Sequence, residues 1–137
     1  MELTANFPRR PALAASLLRV ALGLMWLSHA IVLKLMTFGI AGLAAWMGTQ
    51  GFPPALAWPL VIAEIAGGSL ILLGLHGRWV SLALLPVLFG AIFIHAGNGW
   101  VFTSPNGGWE YPVFLAVASV VHFLLGDGEA ALEPAKA

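Results

Sequence analysis

Six ionisable side chains lie in or beside long apolar stretches: Arg19, His29, Lys34, Glu64, His95 and His122, with Asn98, Glu110 and Tyr111 close to them. A charged group costs ~2.5–3.5 kcal/mol at the centre of a membrane helix by insertion scales, so such residues face a bundle interior and mark a site or a structural pair. Glu64 is suited to exchange a proton, and an arginine beside it would tune its charge. The imidazoles His29 and His95 could relay protons, hydrogen-bond a quinone head group, or ligate a metal together with a carboxylate. No His-x-x-x-His spacing supports the metal, and no nucleophile triad, phosphate loop or dinucleotide fingerprint is present.

The elements that must position these groups are membrane spans. Of 137 residues, 60% are hydrophobic and only twelve are charged, six of each sign. Such a chain cannot cover a soluble globule with charge, and its apolar content is what four spans of ~20 residues would use. Zero net charge, with no basic run longer than Arg9-Arg10, argues against nucleic acid as a partner. The absence of cysteine excludes disulfides, thiolate metal sites and Fe–S ligation, so redox chemistry would have to come from a bound cofactor or a partner.

The stretches run over about 11–35, 55–75, 79–96 and 111–125, in one transmembrane domain covering 1–137. Pro53-Pro54, Gly77, the Gly/Asn/Pro-rich loop 97–108 and Gly126-Asp127-Gly128 punctuate them; Pro112 fits a first helical turn, and Pro59 and Pro86 should bend their spans. Trp46, Trp58, Trp79, Trp100 and Trp109 fall near span ends, where amphipathic rings favour the headgroup layer, and only Trp26 lies well inside. Arg9, Arg10, Arg78 and Lys136 share one side of an even-numbered bundle, so both termini should be cytoplasmic. The fold expected is therefore all-α, a multi-pass four-helix bundle in the plasma (inner) membrane. Ile40, Leu43, Ala44, Trp46 and Met47 recur at helical spacing in the first outer loop, which predicts a short interfacial helix over the bundle. Arg19 interrupts the apolar run, against a cleaved signal peptide.

At the helical rise, Arg19 lies about 10 Å and Glu64 about 16 Å in from the cytoplasmic ends of their spans, so an Arg19–Glu64 pair is expected. Arg19, Gly23 and Trp26 form one stripe at i, i+4 and i+7, while Gly67 and Gly68 share the face of Glu64. His29 and His95 lie about 26 Å and 24 Å in, with Lys34, Asn98 and Glu110 just above. The expected site thus has Glu64 and Arg19 as proton-handling residues, and Trp26, His29, Lys34, His95, Asn98 and Glu110 around a cofactor. His122 reads as interfacial or packed.

Taken in order, Arg19, Leu22-Gly23, His29, Lys34-Leu35, Glu64, Gly67-Gly68, Leu73-Gly74-Leu75, Arg78, Ile94-His95, Asn98-Gly99 and Gly108-Trp109-Glu110-Tyr111 resemble the DoxX family of small four-helix membrane proteins, over about residues 13–126. Ala30 stands where that family often has glycine, and the tail lacks a basic motif that many members carry. The resemblance implies an integral membrane protein that in some members accompanies quinone-linked or sulfur-metabolising oxidoreductases, and it carries over no agreed catalytic residues. The expected function is a membrane subunit of a quinone-linked redox system, with the bilayer, an oxidoreductase and further copies of the chain as partners. The alternatives are a non-catalytic scaffold or assembly partner, and a small oligomeric transporter of a metal or weak acid.

Overall fold

The computed structural model describes residues 8–133, so Glu2 and Lys136, two of the charges flanking the spans, lie outside the described residues. Every regular element among them is helical: α1 (Pro11–Leu27), a π-helical segment (Ser28–Phe38), α2 (Gly39–Thr49), a 3-10 turn (Pro54–Leu56), α3 (Ala57–Leu73), α4 (Gly77–Ala83), α5 (Leu85–His95), a second 3-10 turn (Ala96–Asn98) and α6 (Glu110–Leu125). Three helical stretches, Pro11–Thr49, Pro54–Leu73 and Gly77–Asn98, are long and apolar enough to cross a membrane. The last helix, α6, is apolar but shorter. The chain is an all-helical membrane protein.

Local sequence explains the joints. Pro11 opens α1 and Pro112 lies in the first turn of α6, where a missing N–H costs no intrahelical bond. Pro59 also falls in the first turn of its helix. Pro86 follows a break: the helix is interrupted at Leu84 between α4 and α5. Gly39 has φ 70°, a conformation costly for residues with a Cβ, and it redirects the chain into α2. Leu43 and Met47 of α2 are then buried with Ala57 and Val61 of α3.

The tightest packing is α1 against α3. A Cβ on Gly23 would come within 2.8 Å of the Leu72 backbone, and one on Gly68 within 2.9 Å of the Trp26 Cβ. Gly67 likewise makes room for the side chains of Val80 in α4 and of Leu84 just past its end. Small residues let backbones approach where no hydrophobic effect drives helices together, so van der Waals contact carries the association. Helix α4 packs on α3 and α6, whereas α5, past the break, packs chiefly on α6. The bundle is thus closed at the end holding Arg19 and splayed at the end holding His29.

After α6, Gly126 and Gly128 take positive φ and turn the chain back across the closed end. Leu132 N–H donates to the Leu73 carbonyl (3.0 Å) and Glu133 N–H to that of Gly74 (3.1 Å), so the tail covers the C-terminus of α3. If α1–α3 contact governs assembly, Gly23→Ala should lower stability by about 1–3 kcal/mol. Gly90→Ala, where an added Cβ meets nothing within 4 Å, should be neutral or stabilising. Thermal unfolding of both variants in one detergent checks this; equal melting temperatures would show that the contact is not limiting.

Candidate ligand cleft

Antiparallel packing of α1 on α3 fixes which polar groups meet. Arg19 falls opposite the C-terminal turn of α3, where its guanidinium donates to the carbonyls of Ile71 (3.2 Å) and Leu72. It also donates to the tail carbonyls of Asp127 (2.9 Å) and Ala130 (3.2 Å). Arg19 does not pair with Glu64, contrary to the sequence expectation. Glu64 lies about 12 Å along α3 from Leu72 at the ordinary helical rise, too far for the side chain to serve both. Buried at 2% exposure, Arg19 is compensated by carbonyl dipoles at a helix C-terminus instead of by a carboxylate.

The partner of Glu64 is Lys34, whose Nζ donates to Glu64 Oε1. The π winding brings this about. Residues five apart come close to one face when backbone bonds run from i to i+5, so His29 and Lys34 point the same way. Thr37 Oγ1 follows the same period, donating to the Val32 carbonyl at 2.8 Å. The sequence reading placed Lys34 just above His29 and His95 by depth alone and gave it no partner; the wider helix turns it onto the carboxylate.

Around this pair, the π segment, α2, α3, α5 and α6 enclose a cleft of about 1680 Å³. Trp26, His29, Lys34, Glu64, His95, Glu110 and Tyr111 all line it, among mainly apolar and aromatic neighbours that include Phe38, Trp46, Phe52 and Trp100. The His29 ring stacks on Tyr111, centroids 5.6 Å apart and planes at 22°. His29 Nδ1 bonds the Met25 carbonyl at 2.9 Å and His95 Nδ1 that of Ala91 at 2.8 Å. Each Nδ1 is therefore the N–H donor, and in the neutral ring Nε2 keeps its lone pair. Two buried polar atoms of the lining have no hydrogen-bond partner: Glu64 Oε2 and the Tyr111 hydroxyl.

Not every expected member joins. Asn98 lies away from the cleft, its Nδ2 donating to the Asn106 carbonyl at 3.2 Å, and it lines only a small neighbouring pocket with His95. The 3-10 turn over Ala96–Asn98 carries it off the line of α5. Glu110 lines the cleft, but its Oε1 accepts the Phe102 N–H at 2.9 Å and so anchors the loop. No three His, Cys, Asp or Glu side chains gather as a metal site among the described residues, and His29 and His95 lack a third such ligand.

The structure also assembles a group that sequence spacing did not show. His122 is fully buried, with Nε2 2.8 Å from Asp127 Oδ1 and Nδ1 2.7 Å from Ser81 Oγ. With Nε2–H donating to Asp127, Nδ1 accepts the Ser81 hydroxyl. None of the three lines the cleft; they clasp α4, α6 and the tail at the closed end. Ser81 and Asp127 lie far from His122 or past a helix end, so only the glycine turn at 126–128 hinted that Asp127 folds back.

The sequence profile of the DoxX family matches residues 14–97, well over half of the chain. The chain belongs to the DoxX family. No curated protein and no solved structure matches it. The DoxX match spans Arg19, Trp26, His29, Lys34, Glu64 and His95, while Glu110 and Tyr111 follow it in sequence and join the cleft through α6.

The ion pair makes a sharp prediction. Lys34→Leu leaves a buried carboxylate alone and Glu64→Leu a cation, each costing about 3–5 kcal/mol, whereas the double Leu variant should recover most of the loss. A double-mutant cycle on thermal stability measures this; additive losses would show that the two residues do not act as a pair.

Proposed function

We propose that this DoxX protein is a membrane subunit of a quinone-linked redox system, holding the ring of an isoprenoid quinone in the cleft. The supporting observation is the cleft's construction: a large, mainly aromatic and apolar cleft in which Lys34–Glu64, His29–Tyr111 and His95 stand together, with Glu110, Thr37 and Asn106 as its other polar lining residues. That pattern suits an amphiphile with a flat head and a long apolar tail. Trp26 and the His29–Tyr111 stack offer ring faces, Lys34 a cationic donor, and Glu64 a carboxylate able to exchange the head group's proton. With no cysteine in the chain, electrons pass to or from a partner oxidoreductase.

In this reading both termini face the cytoplasm, placing the cleft in the outer half of the plasma membrane under α2 as an interfacial helix. A scaffold whose polar residues only satisfy one another would leave no reason for the partnerless Glu64 Oε2 and Tyr111 hydroxyl. The closed end, sealed by Arg19, Ser81, His122 and Asp127, gives no support to a pore.

The test is purification from native membranes in mild detergent, followed by solvent extraction and mass spectrometry. Wild-type protein should carry quinone near one per chain, and Glu64→Leu paired with Lys34→Leu should carry at least about tenfold less, the loss of two polar contacts. Equal, trace quinone in both preparations would overturn the proposal.

A further inference from the structure

The hydrogen-bonding inventory of the cleft goes a step further than its shape. Glu64 is 1% exposed, and its Oε1 is taken by Lys34 while Oε2 lacks any donor. An ionised carboxylate can only accept, and a buried acceptor without a donor carries the full cost of its lost hydration. His29 and His95 both spend Nδ1–H on backbone carbonyls, which leaves Nε2 of each neutral ring as a further acceptor. Donors do stand in the lining, among them the remaining hydrogens of Lys34, the Tyr111 hydroxyl, which can turn either way, and the indole N–H groups of Trp26, Trp46 and Trp100, but none of them reaches Glu64 Oε2.

The missing donor is therefore a local want, at Glu64 Oε2. A head group whose oxygens only accept would meet Lys34 and Tyr111 but leave Glu64 Oε2 as it stands. A head group carrying ring hydroxyls would give Oε2 its missing donor and still accept from Tyr111. Hydrogen bonds to a charged group are the stronger kind, and the surrounding apolar walls strengthen them further.

Resting on the quinone reading, we propose that the cleft selects the hydroxyl-bearing form of its ligand: a hydroquinone, with one ring O–H donated to Glu64 Oε2 and Tyr111 positioning the ring. The selectivity comes from Glu64, because Tyr111 can donate to a carbonyl, an ether or a hydroxyl oxygen alike. Lys34 pairs with Oε1 and so orients the carboxylate, leaving Oε2 as the atom that a ring hydroxyl meets.

The experiment compares three short-tailed probes binding to the full chain in lipid nanodiscs, by calorimetry without oxygen: decylhydroquinone, its dimethyl ether and decylquinone. The hydroquinone should bind at least about tenfold more tightly than the ether or the quinone, the worth of one charge-assisted hydrogen bond. In the Lys34→Leu/Glu64→Leu double variant, which leaves no unpaired charge, that ratio should collapse to about threefold or less. Tyr111→Phe should weaken hydroquinone and quinone together and preserve most of the ratio. Equal binding of the three probes to wild type, or a preference for the quinone, overturns this inference and leaves the quinone reading standing. Binding of none of them overturns that reading, and this inference with it.

Discussion

Two backbones pressed together set the geometry of this protein. Gly23 sits against Leu72, and Gly68 against Trp26 and Leu27, at distances that no larger residue allows. In hydrocarbon there is little gain from burying one apolar surface against another, so close contact and satisfied polar groups decide which helices associate and in what register. The glycines hold α1 and α3 in one antiparallel alignment. From that alignment follow the two placements on which the rest depends: Arg19 at the C-terminal carbonyls of α3, and Lys34 beside Glu64.

The two ends of the bundle treat their polar groups differently. At the closed end, Arg19 has four carbonyl acceptors, His122 has Ser81 and Asp127, and the tail gives backbone hydrogen bonds to α3. At the splayed end, an ion pair and a stacked His–Tyr pair stand in a cleft with two polar atoms unpartnered. Membrane helices are costly places for unsatisfied groups, and Arg78 Nε at the closed end is also buried without a partner; what sets the splayed end apart is that its two unpartnered atoms belong to residues lining a cleft. The break at Leu84, with Pro86 behind it, makes the contrast possible by letting α4 close on α3 while α5 leans toward α6.

Most of the helical architecture and the membership of the cleft could be read from residue types. Apolar length marked the spans, breakers marked the turns, and the cost of charge in lipid pointed to Trp26, His29, Lys34, Glu64, His95 and Glu110. What could not be read was pairing. Counting depth from assumed span ends put Arg19 near Glu64, but the register is set by glycine contacts between helices, which depth does not encode. The pairing of Lys34 was hidden for a different reason: an 11-residue π-helical segment changes which residues share a face, and its sequence has the same apolar character as an α-helix. Asp127 was hidden because a glycine turn announces a reversal without saying where the chain lands.

The correction to the pairing changes what the cleft can hold. Had Arg19 neutralised Glu64, Lys34 would have stood as a free cation at the mouth and favoured an anionic ligand. Instead Arg19 is compensated by dipoles at the far end, and Lys34 and Glu64 cancel one another within the cleft. The pair is neutral as a unit, and the further carboxylate of the lining, Glu110, is engaged by the Phe102 N–H, while an uncharged amphiphile loses little hydration on leaving the bilayer for such a cleft. Shape and the internally compensated pair thus agree with the neutral, lipid-soluble ligand proposed for the cleft.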